Sequence, residues 1–233
     1  MRLKGPIIKP RPLTPATFAG RVSEFRKPLI FGVLGVLLLA IAWLAYWSVK
    51  SGQEEAAQSL LSTALQMTET EADPSAGPEA AAVPGAPKAE ELALGLLEQI
   101  SVAYPSSRAG EHALLQTGHI LFDLEKYPEA SVAYQRYLER YPAGSSVFLA
   151  GLGRAYAMEA QARYKEAASI FQNLVDRHPG HPMTIEALMG LGRCLTLAEN
   201  KAEAGEIYSR VVKDYAGTSW SRQAEEMLAV LER

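Results

Sequence analysis

The sequence repeats every 37 residues, and this restricts its fold more than any other feature. Tyr104-Pro105, Tyr141-Pro142, His178-Pro179 and Tyr215-Ala216 stand at that interval. So do the segments Tyr-Pro-Glu-Ala from Tyr127, Tyr-Lys-Glu-Ala from Tyr164 and Lys-Ala-Glu-Ala from Lys201. Apolar residues then recur three and four apart, at Ala130, Tyr134, Tyr137 and Leu138, at Ala167, Phe171, Leu174 and Val175, and at Ala204, Tyr208, Val211 and Val212. That spacing places each set on one face of a helix. Another apolar helix precedes each set, through Leu114, Gly118 and Leu121, through Leu152, Gly153 and Tyr156, and through Leu188, Leu191, Gly192 and Leu195. The unit is therefore a helix pair. One pair cannot bury its apolar face alone, so successive pairs must stack into an all-α solenoid.

A glycine costs about 1 kcal/mol against alanine inside a helix. Gly118, Gly153 and Gly192 therefore need a reason, and close approach of the partner helix supplies one. The small residues Ala130, Ala167 and Ala204 are the expected counterparts on that partner.

These residues resemble the tetratricopeptide repeat family, in which a Leu-Gly helix precedes one with a small Ala, an aromatic four residues on, and a late Pro. Gly118, Ala130, Tyr134 and Pro142 fit that pattern. Gly153, Tyr156, Ala167, Phe171 and Pro179 fit it with two residues inserted near Gln161, and Gly192, Ala204 and Tyr208 fit it with Ala216 in place of Pro. Ala93, Leu97 and Pro105 resemble the second helix of an earlier pair. The resemblance implies three to four antiparallel pairs over residues 89–233, closed by a capping helix from Thr218 whose Met227, Leu228 and Leu231 cover the last pair. It also implies that polar residues on the first helices line a concave, protein-binding face. Glu111, His119, Arg154, Glu186 and Arg193 are the candidates. Arg154 and Arg193 each follow a glycine, so two aligned guanidinium groups are expected to grip a peptide carboxylate. The other reading of all five is solvated surface and salt bridges.

The chain ahead of the repeats is of a different kind. Residues 29–47 (LIFGVLGVLLLAIAWLAYW) carry no charge. A helix of that length spans about 28 Å, close to the hydrocarbon core of a bilayer. Trp43, Tyr46 and Trp47 suit the interface at its far end, and basic residues cluster at its near end. The 28 residues before it hold seven Arg and Lys against Glu24, 7 − 1 = +6, which leaves −3 − 6 = −9 for the rest of the chain. By the retention of Arg and Lys in the cytoplasm, residues 1–28 form a basic cytoplasmic head and residues 48–233 lie across the membrane. A cleaved signal peptide fits less well, because the apolar run is long and ends in bulky Tyr46 and Trp47 rather than small residues. A membrane-proximal helix is expected over residues 48–67, with Ala56, Ala57, Leu60, Leu61, Ala64 and Leu65 on one face. Residues 68–88 hold Pro74, Pro78, Pro84 and Pro87 among Ala, Gly and Glu, and read as a linker.

No residues group into a catalytic, cofactor or metal set. His178-Pro-Gly-His181 falls in a turn with no third ligand near in sequence. Cys194 is the one cysteine, lies inside an apolar helix, and reads as a small buried hydrophobe. An acidic body argues against nucleic acid as a partner. A basic head, one membrane helix, a polar Ala-rich helix and helix pairs together are similar in layout to the ancillary subunit of the bacterial Sec translocon. That resemblance implies the bacterial inner membrane, with the repeats in the periplasm. The expected function is a non-enzymatic, membrane-tethered adaptor for envelope proteins, without cofactor or small-molecule substrate. The alternative is a self-assembling structural component of an envelope complex.

Overall fold

The computed structural model describes residues 15–72 and 89–231. The outer part of the basic head and most of the expected linker lie outside the described residues. Every regular element among the described residues is an α-helix. The chain divides into two compact units, Met1–Gly52 and Gln53–Arg233.

Helix α1, Pro15–Ala72, is continuous. It opens on Pro15, and proline suits a first turn because its missing N–H has no helical partner to lose. It ends before Asp73-Pro74, where proline disfavours helical backbone in the residue ahead of it. Glu69, Glu71 and Ala72 are adequate helix formers, so the helix runs on past Met67. Between residues 36 and 49 the apolar side chains are exposed all round the helix. Leu38, Leu39, Trp43, Leu44, Tyr46 and Trp47 are all more than 60% exposed. Within the described residues this is the one helix long and apolar enough to cross a membrane.

The second unit comprises the C-terminal part of α1 and eight further helices. These are α2 (Ala89–Ala103), α3 (Arg108–Asp123), α4 (Tyr127–Arg140), α5 (Val147–Ala160), α6 (Tyr164–Arg177), α7 (Thr184–Leu197), α8 (Lys201–Asp214) and α9 (Ser219–Leu231). They pack as antiparallel neighbours in chain order. The pairs α3–α4, α5–α6 and α7–α8 are full repeats, and α9 packs on α7 and α8 as the expected cap. Trp220, Met227, Leu228 and Leu231 of α9 lie against the core of the last repeats.

The half-pair at α2 is completed by α1. Ala57 and Ala64 are fully buried in one core with Ala93, Leu97, Ile100, Ala109 and Ala113, flanked by Leu60, Leu61 and Met67. Glu54 accepts a hydrogen bond from the backbone N–H of Arg108 at 3.2 Å. The helix that carries the apolar stretch thus also supplies the first helix of the array.

The turns keep strict register. Glu125, Ala162 and Glu199 each link a first helix to a second, with φ of 58°, 58° and 63°. The residue after each donates its N–H back to the helix it leaves, Lys126 to Leu121, Arg163 to Met158 and Asn200 to Leu195, which satisfies carbonyls at the helix end. All three turns are of equal length, so the two residues expected as an insertion near Gln161 are not there. The offset came from aligning Gly153 with Gly118 and Gly192. Their true counterpart is Ala155, and Gly153 is the counterpart of Gly190.

The glycines do mark close approach, but of rings rather than of the alanines. A Cβ on Gly118 would lie 2.5 Å from the Tyr134 ring, and a Cβ on Gly153 would lie 2.5 Å from the same ring. Tyr134 of α4 is thus wedged between α3 of its own repeat and α5 of the next. Phe171 meets Gly190 and Tyr208 meets Gly192 in the same manner. The aromatic four residues after the small Ala is therefore the wedge that locks neighbouring pairs together.

Candidate protein-binding site

First helices touch one another, α3 with α5, α5 with α7 and α7 with α9, whereas α4, α6 and α8 make no such direct contacts. The first helices therefore form the inner side of the stack, and the second helices its outer ridges.

One stripe of each first helix faces inward. In register these are His112, Gln116, His119 and Asp123 on α3, Leu149, Gly153, Tyr156 and Ala160 on α5, and Glu186, Gly190, Arg193 and Leu197 on α7. The polar members of adjacent stripes are joined. The Tyr156 hydroxyl donates to Glu186 at 2.7 Å. The Arg193 guanidinium donates twice to Glu159, from Nε at 2.5 Å and from an Nη at 2.8 Å. It also lies over the Tyr156 ring, 6.0 Å from its centre. Hydrogen bonding to Glu159 pushes the Arg193 guanidinium further toward the charged form. Burial, with the bond to Glu186, raises the Tyr156 phenol. Leu149 and Leu197 stand exposed in the same stripes.

His119 is half-buried and tilts on the Tyr134 ring at 5.7 Å between centres. Burial lowers its pKa, against a smaller opposing pull from Asp123. Tyr156 sits on Phe171 in the equivalent place. Glu111 acts elsewhere. It accepts from the Tyr137 hydroxyl at 2.5 Å and from the Ser145 backbone N–H at 3.1 Å, tying the turn before α5 onto α3. Burial, together with that bond, pushes the Tyr137 phenol up to about 12.

The expected pairing of Arg154 with Arg193 does not form. Arg193 is the counterpart of Tyr156 and His119, and Arg154 is the counterpart of Thr117 and Leu191. Positions two apart on a helix lie about 200° apart around its axis, so the two arginines occupy opposite faces. Arg154 points into a cleft on the outer side, with Pro128, Val132, Gln135, Arg136, Glu139 and Met158 around it. Its Nε is buried and has no hydrogen-bond partner.

Reading the sequence missed Tyr156 and Glu159 as members of the inner face. In sequence Tyr156 reads as part of the apolar face of its helix. Its 37-residue counterparts His119 and Arg193 are polar, and that is the signal that separates it from Tyr134 and Phe171. His178 and His181 pack edge-on and stacked against Phe148, and the His181 Nδ1 accepts from the Met183 N–H. Among the described residues no three metal-ligating side chains come together. Cys194 is fully buried, and burial pushes its thiol up to about 12.

A tetratricopeptide repeat family model matches residues 115–182 and again residues 152–218. Residues 115–218 are tetratricopeptide repeats. The family is one of protein-interaction scaffolds and is typically non-enzymatic. Solved structures share the fold. A tetratricopeptide repeat protein from Parabacteroides merdae is 14% identical with a TM-score of 0.59, over 76% of this chain and 60% of that one. This chain therefore spans little more than half the length of that relative. Kinesin-light-chain-like repeats from Podosopora anserina are 16% identical with a TM-score of 0.52, over 77% of this chain and 83% of that one. MamA from Desulfovibrio magneticus RS-1 is 16% identical with a TM-score of 0.51, over 77% of this chain and 93% of that one. None of the curated proteins matches the chain in sequence.

Proposed function

We propose that this protein is a membrane-tethered adaptor that holds another protein against the inner stripes of its first helices. The observation that carries this reading is the composition of those stripes. Exposed Leu149 and Leu197 stand in the same stripes as the Tyr156–Glu186 and Arg193–Glu159 bonds, which gives an apolar contact surface with fixed polar groups in it. Such a mixture suits specific recognition, in which apolar anchors supply affinity and polar groups fix orientation. The apolar half of α1 is the tether, and the basic residues before it support a cytoplasmic N-terminus with the repeats in a bacterial periplasm. Tethering raises the local concentration of the array near partners on the same membrane. The layout shared with the ancillary translocon subunit makes the Sec machinery and emerging envelope proteins the first partners to test.

A photoreactive residue at Leu149 or Leu197 in the full-length protein, in cells, tests this. Crosslinks to a discrete envelope protein are expected. Crosslinks to nothing, or only to a second copy of the chain, would overturn the adaptor reading, the latter in favour of a self-assembling scaffold.

A further inference from the structure

The outer side of the array carries a second surface. Second helices form its ridges, and the back of the intervening first helix forms the floor of each groove. Between α2 and α4 the floor is Thr117 and Leu121, and beyond α4 it is Arg154 and Met158, the same positions one repeat later. The two grooves share Pro128, Val132 and Arg136. The counterpart floor of the last repeat is Leu191 and Leu195, so the charge is specific to the groove over α5.

Among the described residues neither Arg154 nor Arg136 enters a salt bridge, in a body whose net charge is −9. Glu166 and Glu139 act on Arg154 only through their charge, without a hydrogen bond, and each has another partner, while Glu98 and Glu129 line the neighbouring groove beside Arg136. Glu166 is held at both oxygens by Arg163, at 2.7 and 2.5 Å, and Glu139 accepts from the Gln135 amide at 2.6 Å. A buried guanidinium donor without an acceptor is uncommon in folded proteins. Beside it, Val132 is 52% exposed and stands next to Pro128 as an apolar ledge.

We propose that this groove docks an extended acidic segment of a partner polypeptide, with one carboxylate of the segment on the Arg154 guanidinium. The planar fork of arginine matches a carboxylate bidentately. Arg136, on the ridge between the two grooves, takes a second acidic residue. Apolar side chains between the acidic ones lie on Val132 and Pro128. The inference rests on the adaptor reading only in taking the partner to be a protein, and it concerns the face opposite the inner stripes.

The test uses the full-length protein in detergent micelles and a fluorescein-labelled eight-residue peptide of alternating Glu and Leu. A twin with Gln in place of Glu is the control. At low salt the Glu peptide is expected to bind about tenfold or more tightly than its twin, with the preference fading as salt rises. Arg154→Met removes the preference, Arg154→Lys keeps part of it, Arg136→Gln weakens it and Arg193→Gln leaves it in place. Amidating the peptide C-terminus distinguishes the source of the carboxylate, since a loss assigns it to the chain end and no loss to a side chain. Equal binding of the two peptides, or an unchanged preference in Arg154→Met, would overturn the proposal. Thermal unfolding guards against misfolding. Arg154→Met is expected to melt no lower than the parent, because it removes an unpaired charge, and a lower melting temperature would make Arg154 a structural residue and sink the docking role. Inner-face crosslinking is independent of all these outcomes, so failure here leaves the adaptor reading standing.

Discussion

The inner and outer faces of the array are built from the same helices and treat charge in opposite ways. On the inner face the first helices touch, and the polar groups that meet there are joined across the repeat boundary, Tyr156 to Glu186 and Arg193 to Glu159. On the outer face the second helices stand apart, and among the described residues neither Arg154 nor Arg136 forms a salt bridge, although Glu139 lies in the same cleft. Where elements pack, a half-buried polar group without a partner is costly, so partners are found. Where they diverge, a charge remains for something outside the chain. Beneath both faces lies a layer of aromatic wedges on which each depends.

That layer gives the largest expected effect. Tyr134→Ala empties a ring site between Gly118 and Gly153 and is expected to cost about 3–5 kcal/mol, as large aromatic deletions do. Urea unfolding measures it, and a loss below 1 kcal/mol would mean that the wedge does not couple neighbouring repeats. Alkaline pH acts on the same interior. The Tyr137 phenol and the Cys194 thiol both rise to about 12 in the folded chain, from 10.0 and 9.0. A pKa raised on folding stabilises the fold below the unfolded value and loses that contribution as pH climbs through the folded one. Stability should therefore hold to about pH 9 and fall from there to about pH 12, and Cys194→Ala should flatten the early part of the fall.

The contrast between faces is sharpened by smaller changes. Tyr156→Phe removes a donor to Glu186 across the α5–α7 boundary and is expected to cost about 1–2 kcal/mol. Arg193→Met leaves the mostly buried Glu159 carboxylate without its partner and should cost about 1–2 kcal/mol, while Arg154→Met should cost nothing. If Arg154→Met proved the more damaging of the two, the division between a paired and an unpaired face would fail. The smallest effect is Ala162→Gly, expected to add a few tenths of a kcal/mol up to about 1, because glycine tolerates the φ of 58° that alanine does not. Guanidinium melts resolve it.

Most of the fold was legible in the sequence because a 37-residue period and helical apolar spacing are local signals that do not depend on distant contacts. The helix pairs, the capping α9 and the apolar stretch of α1 followed from them. The register did not follow. Gly153 was matched to Gly118 and Gly192 because a glycine looked like the defining residue, whereas the constant turn at Glu125, Ala162 and Glu199 makes Ala155 the equivalent. That shift of two placed Arg154 and Arg193 on one face on paper, though they lie on opposite faces of the array. Of the five candidate residues, Glu186, Arg193 and His119 share the inner side, Glu111 clamps a turn, and Arg154 belongs to the outer groove.

The sequence by itself determined that this chain is a stack of helix pairs behind one long apolar helix, because burial and backbone preference act residue by residue along the chain. The tertiary structure alone decided that α1 completes the first pair, that tyrosine and phenylalanine rings fill the glycine sites, and which charges are paired. Those outcomes depend on distances between residues 16 to 54 positions apart in sequence, as from Glu54 to Arg108 or from Tyr134 back to Gly118 and on to Gly153, and no local pattern encodes them.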